Sequence, residues 1–137
     1  MLNTRPDAIA LFGDGAAFDH VGIAVRSIAA LGLVDLPVSR DLKQRVSVAF
    51  VETGGVTLEL IEPLGDDSPV LRSLEKGQPL VHLCFRVPDL ELAIAAGKRA
   101  GFHRLGAPVS APAFGNRRIA WVFSRTFGLM ELLEGAN

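Results

Sequence analysis

The chain has 137 residues, 49% of them hydrophobic and 21% charged, with a formal net charge of −1. That length and balance predict one domain large enough to bury a real core. The near-neutral charge leaves no electrostatic case for nucleic acid or an anionic membrane surface, and no apolar run reaches the eighteen residues of a spanning helix.

In chain order, residues 1 to about 16 read as an extension ending in the turn-like GDG, too acidic and too short of apolar residues for a secretory leader. FDHVGIAV is the first strand. RSIAALGLVDLP then leaves room for a turn or two of helix before its Gly and Pro punctuation, and VSRDLKQ is polar loop or strand end. VSVAFVE, the turn TGG and VTLELIEP make a hairpin. GDDSPVLRSLEKGQP is a connector with a short helix capped by Asp67 or Ser68, with Pro69 in its first turn. LVHLCFRV is the next strand. PDLELAIAAGKRAGF is an amphipathic helix capped by Asp89 and stopped by Gly101, with Leu90, Ile94 and Leu92 placed on its buried side. HRLGAPVSAPAFGN holds a short strand and a loop, and RIAWVFS, RTFG and GLMELLEG form a second hairpin. Cys84, the single cysteine, excludes an internal disulfide framework, reads as a small core residue, and points to a cytoplasmic protein.

The two halves repeat. Setting Glu59 on Glu131 aligns VAFVETGGVTLEL with AWVFSRTFGLMEL without a gap at an offset of 72, and setting His20 on His82 gives an offset of 62. The ten-residue difference falls where the first half lacks a full helix. The chain therefore reads as two βαβββ units of an α+β fold, the first helix shortened: unit one over 17–65, a connector over 66–79 and unit two over 80–134 of one domain, 1–137. His20, Glu59, His82 and Glu131 each sit in an apolar run alternating with period two, which turns them away from the large aliphatic residues. Each unit thus offers one imidazole and one carboxylate to a shared cleft. That donor set suits a divalent ion, with Mn, Co, Ni, Fe and Zn all admissible.

FDHVGIAV, ELIEPLGDDSP, LVHLCFRVPDLE and GLMELLE resemble the vicinal oxygen chelate superfamily of glyoxalases, extradiol dioxygenases and bleomycin-resistance proteins, and within it the methylmalonyl-CoA epimerase-like group. The resemblance spans roughly residues 18 to 134. It implies curved sheets around a metal-binding cleft, and metal ligands at His20, Glu59, His82 and Glu131. It also implies a small-molecule or acyl-thioester substrate. Where the epimerases carry a second catalytic carboxylate this chain has Lys43, so the catalytic candidates are Glu131 and Lys43, the latter only if burial or the metal lowers its pKa.

Asn116, Arg117 and Arg118 follow the loop APAFG, either as a solvated basic turn or as an anion site for a thioester or phosphate. Glu62, Glu134 and His103 read as surface residues. The expected activity is a metal-dependent isomerase, epimerase or lyase that stabilises an enolate. Two other readings stay open. One is a non-haem iron dioxygenase using His20, His82 and Glu131; the other is a resistance-type binding protein without turnover. The exposed edges and helix-poor first half predict a homodimer.

Overall fold

In the computed structural model, residues 9–135 are described; half of the expected N-terminal extension, residues 1–8, lies outside them. Unit one comprises β1 (Ala17–Ala24), a single 3-10 turn (Ala29–Leu31), β2 (Ser39–Asp41), β3 (Val46–Thr53) and β4 (Val56–Pro63). The connector carries α1 (Pro69–Glu75). Unit two comprises β5 (Leu80–Val87), α2 (Leu90–Arg99), β6 (His103–Ala111), a 3-10 turn (Pro112–Phe114), β7 (Arg117–Ser124) and β8 (Gly128–Glu134). The eight strands make one mixed sheet in the order β2-β3-β4-β1-β5-β8-β7-β6, so the units meet at the antiparallel β1–β5 pair. Each of those central strands runs parallel to the last strand of its own unit.

Both hairpins form where turn residues interrupt the alternation. Gly54 and Gly55, both at positive φ, close the β3–β4 turn as two consecutive left-handed residues, the backbone that matches strand twist. The β7–β8 turn is one residue longer, since Thr53 pairs with Val56 but Ser124 pairs with Gly128. The gap-free alignment of the two hairpins hides that extra residue. With Glu59 set on Glu131, their partners across the hairpins are Phe50 and Trp121, one position out of step.

Helix α2 starts where Asp89 accepts a hydrogen bond from the Leu92 amide (3.0 Å) and ends before Gly101 at φ 95°. Its buried stripe is Leu90, Ala93 and Gly97, and Ile94 packs beside it. Leu92 is 69% exposed, contrary to the expected burial: at i+2 from Leu90 it projects from another face. The stripe packs on Val87, Ala120, Val122 and Leu132, with Phe102 and Phe12 completing the cluster. Each large side chain buried there stabilises the fold by roughly 2 to 3 kcal/mol. Phe12 brings the described end of the extension into this core, with its ring 4.9 Å from that of Phe102.

Unit one has less cover. Ile28, Ala49 and Leu60 form a small cluster under the 3-10 turn, and the segment around it exposes Leu31, Leu33, Val34 and Val38. The connector helix α1 starts after Ser68, whose side chain makes no capping bond, while Asp67 instead pairs with Arg45 (2.9 Å). Val70 packs from α1 onto Ala24, Val46, Val48 and Ile61.

Candidate metal centre

His20, Glu59, His82 and Glu131 lie on β1, β4, β5 and β8, the four central strands, and all four are buried. One ligand atom from each falls within 4.8 Å of the others. His20 Nε2 stands 3.2 Å from an oxygen of each glutamate, His82 Nε2 stands 3.3 Å from the same two oxygens, and the two Nε2 atoms are 3.4 Å apart.

The strand register explains how the chain places them. Gly22 lies between Glu59 on β4 and His82 on β5, and Cys84 between His20 on β1 and Glu131 on β8. Each imidazole therefore sits against a small residue of the other unit. At Gly22 the fit is tight: an added Cβ would overlap Cε1 and Nδ1 of His82 and stand 2.7 Å from its Nε2. The aromatic rings obey the same pseudo-symmetry. Phe50, paired with Glu59, meets His20 edge-on at 5.7 Å, and Trp121, paired with Glu131, meets His82 edge-on at 4.8 Å.

Two bulges on the β1–β5 pair refine the picture that simple alternation provides. Asp19 is an extra residue between the Phe18–Phe85 and His20–Cys84 pairs. Its carboxylate accepts from His20 Nδ1 (2.7 Å) and from Arg86 (2.8 Å). Val81 is the extra residue on β5, and both it and His82 line the cavity, although alternation would have sent Val81 to the opposite face.

The donor set fits a divalent cation. With Nδ1 of His20 donating to Asp19, its Nε2 carries a lone pair aimed at two carboxylates and a second imidazole. Such a cluster of lone pairs is repulsive unless a cation stands among them. Glu131 Oε1 is buried without an aligned hydrogen-bond partner. The 3.2–3.4 Å spacings approximate the ~3 Å between adjacent donors on one ion with bonds of about 2.1 Å. Protons are the alternative. Burial opposes charging His20 and His82, but the carboxylates beside them outweigh it and raise both pKa values. Burial likewise opposes ionising Glu131, but the two imidazoles pull its pKa down to about 2. Burial pushes the Cys84 thiol up, in keeping with an inert core residue.

The cluster borders a cavity of about 320 Å³. Glu59, His82 and Glu131 line it, and its walls include Val48, Ile61, Val70 and Leu129. Lys43 does not line it. It stands exposed on the β2–β3 turn, whereas its neighbours Asp41 and Gln44 face inward. Asn116 and Arg117 are exposed on the turn into β7, outside the lining, and Arg117 donates to the Phe114 carbonyl (3.1 Å). Arg118 is spent on structure, binding Glu91 (2.9 and 3.0 Å) and Glu134 (3.0 and 2.8 Å) and so tying β7 to α2. Glu134 and Glu62 are not merely surface groups, since Glu134 also accepts from the Leu90 amide and Glu62 accepts from the Ile28 amide (2.6 Å). His103 is exposed at the start of β6. Gly22, Asp19, Asp41, Gln44 and Trp121 escaped the reading of the sequence. Only the DH pair of FDHVGIAV, a carboxylate beside a candidate ligand, carried a signal for any of them.

Comparison with known proteins places this geometry. The family model of the glyoxalase/bleomycin resistance protein/dioxygenase superfamily matches residues 19–121. The protein YqjC of Bacillus subtilis is 50% identical over 76 residues, 49% of this chain and 54% of that protein. An ethylmalonyl-CoA/methylmalonyl-CoA epimerase of Cereibacter sphaeroides is 36% identical over 99 residues, 65% of this chain and 74% of that protein. The human mitochondrial methylmalonyl-CoA epimerase is 35% identical over 72 residues, 51% of this chain and 41% of that protein. The matches to YqjC and the human epimerase thus span only about half the length of those relatives. Among solved structures, a hypothetical protein of Bacillus halodurans superposes with TM-score 0.72 at 29% identity, over 90% of this chain and 97% of that one. The methylmalonyl-CoA epimerase of Mycobacterium tuberculosis shares the fold at TM-score 0.72 and 24% identity, over 88% of each chain. With two pseudo-equivalent four-stranded units on one sheet and a family match across most of its length, the chain belongs to the glyoxalase/bleomycin resistance protein/dioxygenase superfamily.

Proposed function

We propose that this protein is a divalent-metal-dependent epimerase or isomerase that stabilises an enolate on a small carbonyl or acyl-thioester substrate. The observation that carries the reading is the quartet of Nε2 and carboxylate oxygen atoms within 4.8 Å bordering a largely apolar cavity. His20, Glu59, His82 and Glu131 would hold the ion. When bound, it supplies Lewis-acid stabilisation of the negative charge that develops on chelating substrate oxygens.

The remaining work falls to the chain. Asp19 fixes the His20 tautomer, and Gly22 leaves room for the His82 ring. The apolar part of the walls, Val48, Ile61, Val70 and Leu129 among it, lowers the polarity around the charge that forms. To Glu131, which borders the cavity, this reading assigns the removal of a proton from the carbon between two carbonyl groups. The named activities of the relatives favour 2-alkylmalonyl thioesters as the first substrates to try. A cytoplasmic homodimer, with the Leu31–Val38 face covered by a second copy, completes the reading; that face exposes four large aliphatic residues where a full helix is missing.

The test is C2 proton exchange. Protein loaded in turn with Mn, Co, Ni, Fe or Zn is incubated with 2-methylmalonyl-CoA and 2-ethylmalonyl-CoA in deuterated water. Deuterium at C2 that appears with metal-loaded wild type and not with the same protein stripped of metal supports the proposal. No exchange with any metal on either thioester refutes it.

A further inference from the structure

Inversion at carbon requires two proton-carrying groups, one on each face of the planar enolate. Glu131 supplies one. Among the described cavity-lining residues the carboxylates are Glu59, Glu131 and Asp41, and the first two belong to the metal quartet. Asp41 ends β2, is 5% exposed, and faces the cavity while Lys43 turns outward two residues later.

Asp41 is also held. Its Oδ1 accepts from the Gln44 backbone amide (3.0 Å) and its Oδ2 from the Gln44 side-chain amide (2.8 Å). The Gln44 Oε1 in turn accepts from the indole N–H of Trp121 (2.9 Å), and the Trp121 ring lies edge-on to His82. A tight turn needs only the first of these bonds. Of the other two, the Gln44–Asp41 side-chain bond stays within unit one and the Trp121–Gln44 bond crosses to unit two; in series they tie the carboxylate to the indole that lies against His82. Each oxygen keeps a second lone pair for a substrate proton.

We propose that Asp41 is the second proton-carrying group of this cavity, with Gln44 and Trp121 as its positioning residues. The inference rests on the enolate reading above. One carboxylate takes the C2 proton of one enantiomer as the C–H electron pair passes into the enolate; the other delivers a proton to the opposite face, and the C–H bond re-forms with inverted configuration. Run backwards, the two exchange roles, so no oxidant or further reactant is needed.

Single enantiomers of 2-methylmalonyl-CoA in deuterated water, with metal-loaded wild type and Asp41→Asn, test this directly. Wild type is expected to exchange and invert both enantiomers. Asp41→Asn is expected to lose inversion at least 100-fold, while one enantiomer still exchanges C2–H with retention through Glu131 and the other falls silent. Co²⁺ affinity, read by calorimetry, is expected to match wild type, which places the loss in proton transfer and not in the metal site. Should Asp41→Asn fail to fold, Asp41→Glu keeps the charge at altered reach; slowed inversion with asymmetric exchange then supports the proposal, and symmetric exchange overturns it. Asp41→Asn that inverts both enantiomers at the wild-type rate overturns it, as does inversion that follows Lys43→Met instead. In either case wild-type exchange leaves the enolate reading standing. A wild type that exchanges neither enantiomer removes both.

Discussion

Replacing Gly22 by alanine should drive a wedge onto His82, a proposed metal ligand, while leaving the strand intact. Gly22 lies within the β1 ladder and has no positive φ, so alanine meets no backbone strain there. The added methyl would stand 2.7 Å from His82 Nε2 and nearer still to Cε1 and Nδ1. Ordinary carbon–nitrogen contact needs about 3.5 Å, so the ring has to move by about 1 Å. Trp121 on its other side limits where it can go. Metal–ligand bonds tolerate only about 0.2 Å, so a shift of that size removes His82 from the ligand set. Outer-shell changes alone cost 10- to 100-fold in affinity, and losing a ligand should exceed the upper figure. The overpacking costs about 1 to 3 kcal/mol of stability, which a lower melting temperature reports separately. Titration of Gly22→Ala with Co²⁺, followed by calorimetry and by the visible spectrum of the bound ion, is the assay. Affinity within threefold of wild type would refute the packing logic of the site.

Asp19→Asn should weaken Co²⁺ binding by about 10- to 100-fold with the fold preserved, because the carboxylate that orients His20 is lost; equal affinity would deny Asp19 that role. Arg118→Met should lower the melting temperature at pH 7. Arg118 holds the Glu134 carboxyl below its usual range, so the stabilisation is present above the unfolded value of about 4.3 and disappears as pH falls through the lowered folded value. A melting-temperature difference that persists undiminished at about pH 2 would contradict that assignment. Sedimentation at micromolar concentration should show a dimer that Val34→Glu dissociates, and a wild-type monomer would remove the proposed second copy.

Much of the architecture is legible because period-two alternation and an internal repeat reinforce each other. His20 and His82, or Glu59 and Glu131, mean little singly, but their equivalent places in two units select them together. The shortened first helix is visible for the same reason, as ten residues missing from one copy. What alternation cannot express is a bulge. The extra residue at Asp19 goes with a contact between neighbours in sequence that a regular strand would keep apart, and the one at Val81 puts two successive side chains into one cavity. The β2–β3 turn hides its meaning too. Arg45 at φ 57° reverses the chain there, and alignment through Lys43 says nothing about which turn residue faces inward. Gly22 is silent in sequence because its function is the space it leaves for another strand's imidazole. The exposure of Leu92 and the bonds of Glu62 and Glu134 likewise depend on partners far along the chain.

The claim on which the rest depends is that the quartet binds a divalent ion. Co²⁺ titrated by calorimetry into chelator-stripped wild type, with His82→Ala alongside, tests it most directly. One ion per chain bound at least 100-fold more tightly by wild type is the expected result. Equal binding by the two proteins would contradict the account, for it would mean that His20, Glu59, His82 and Glu131 converge without forming a metal site.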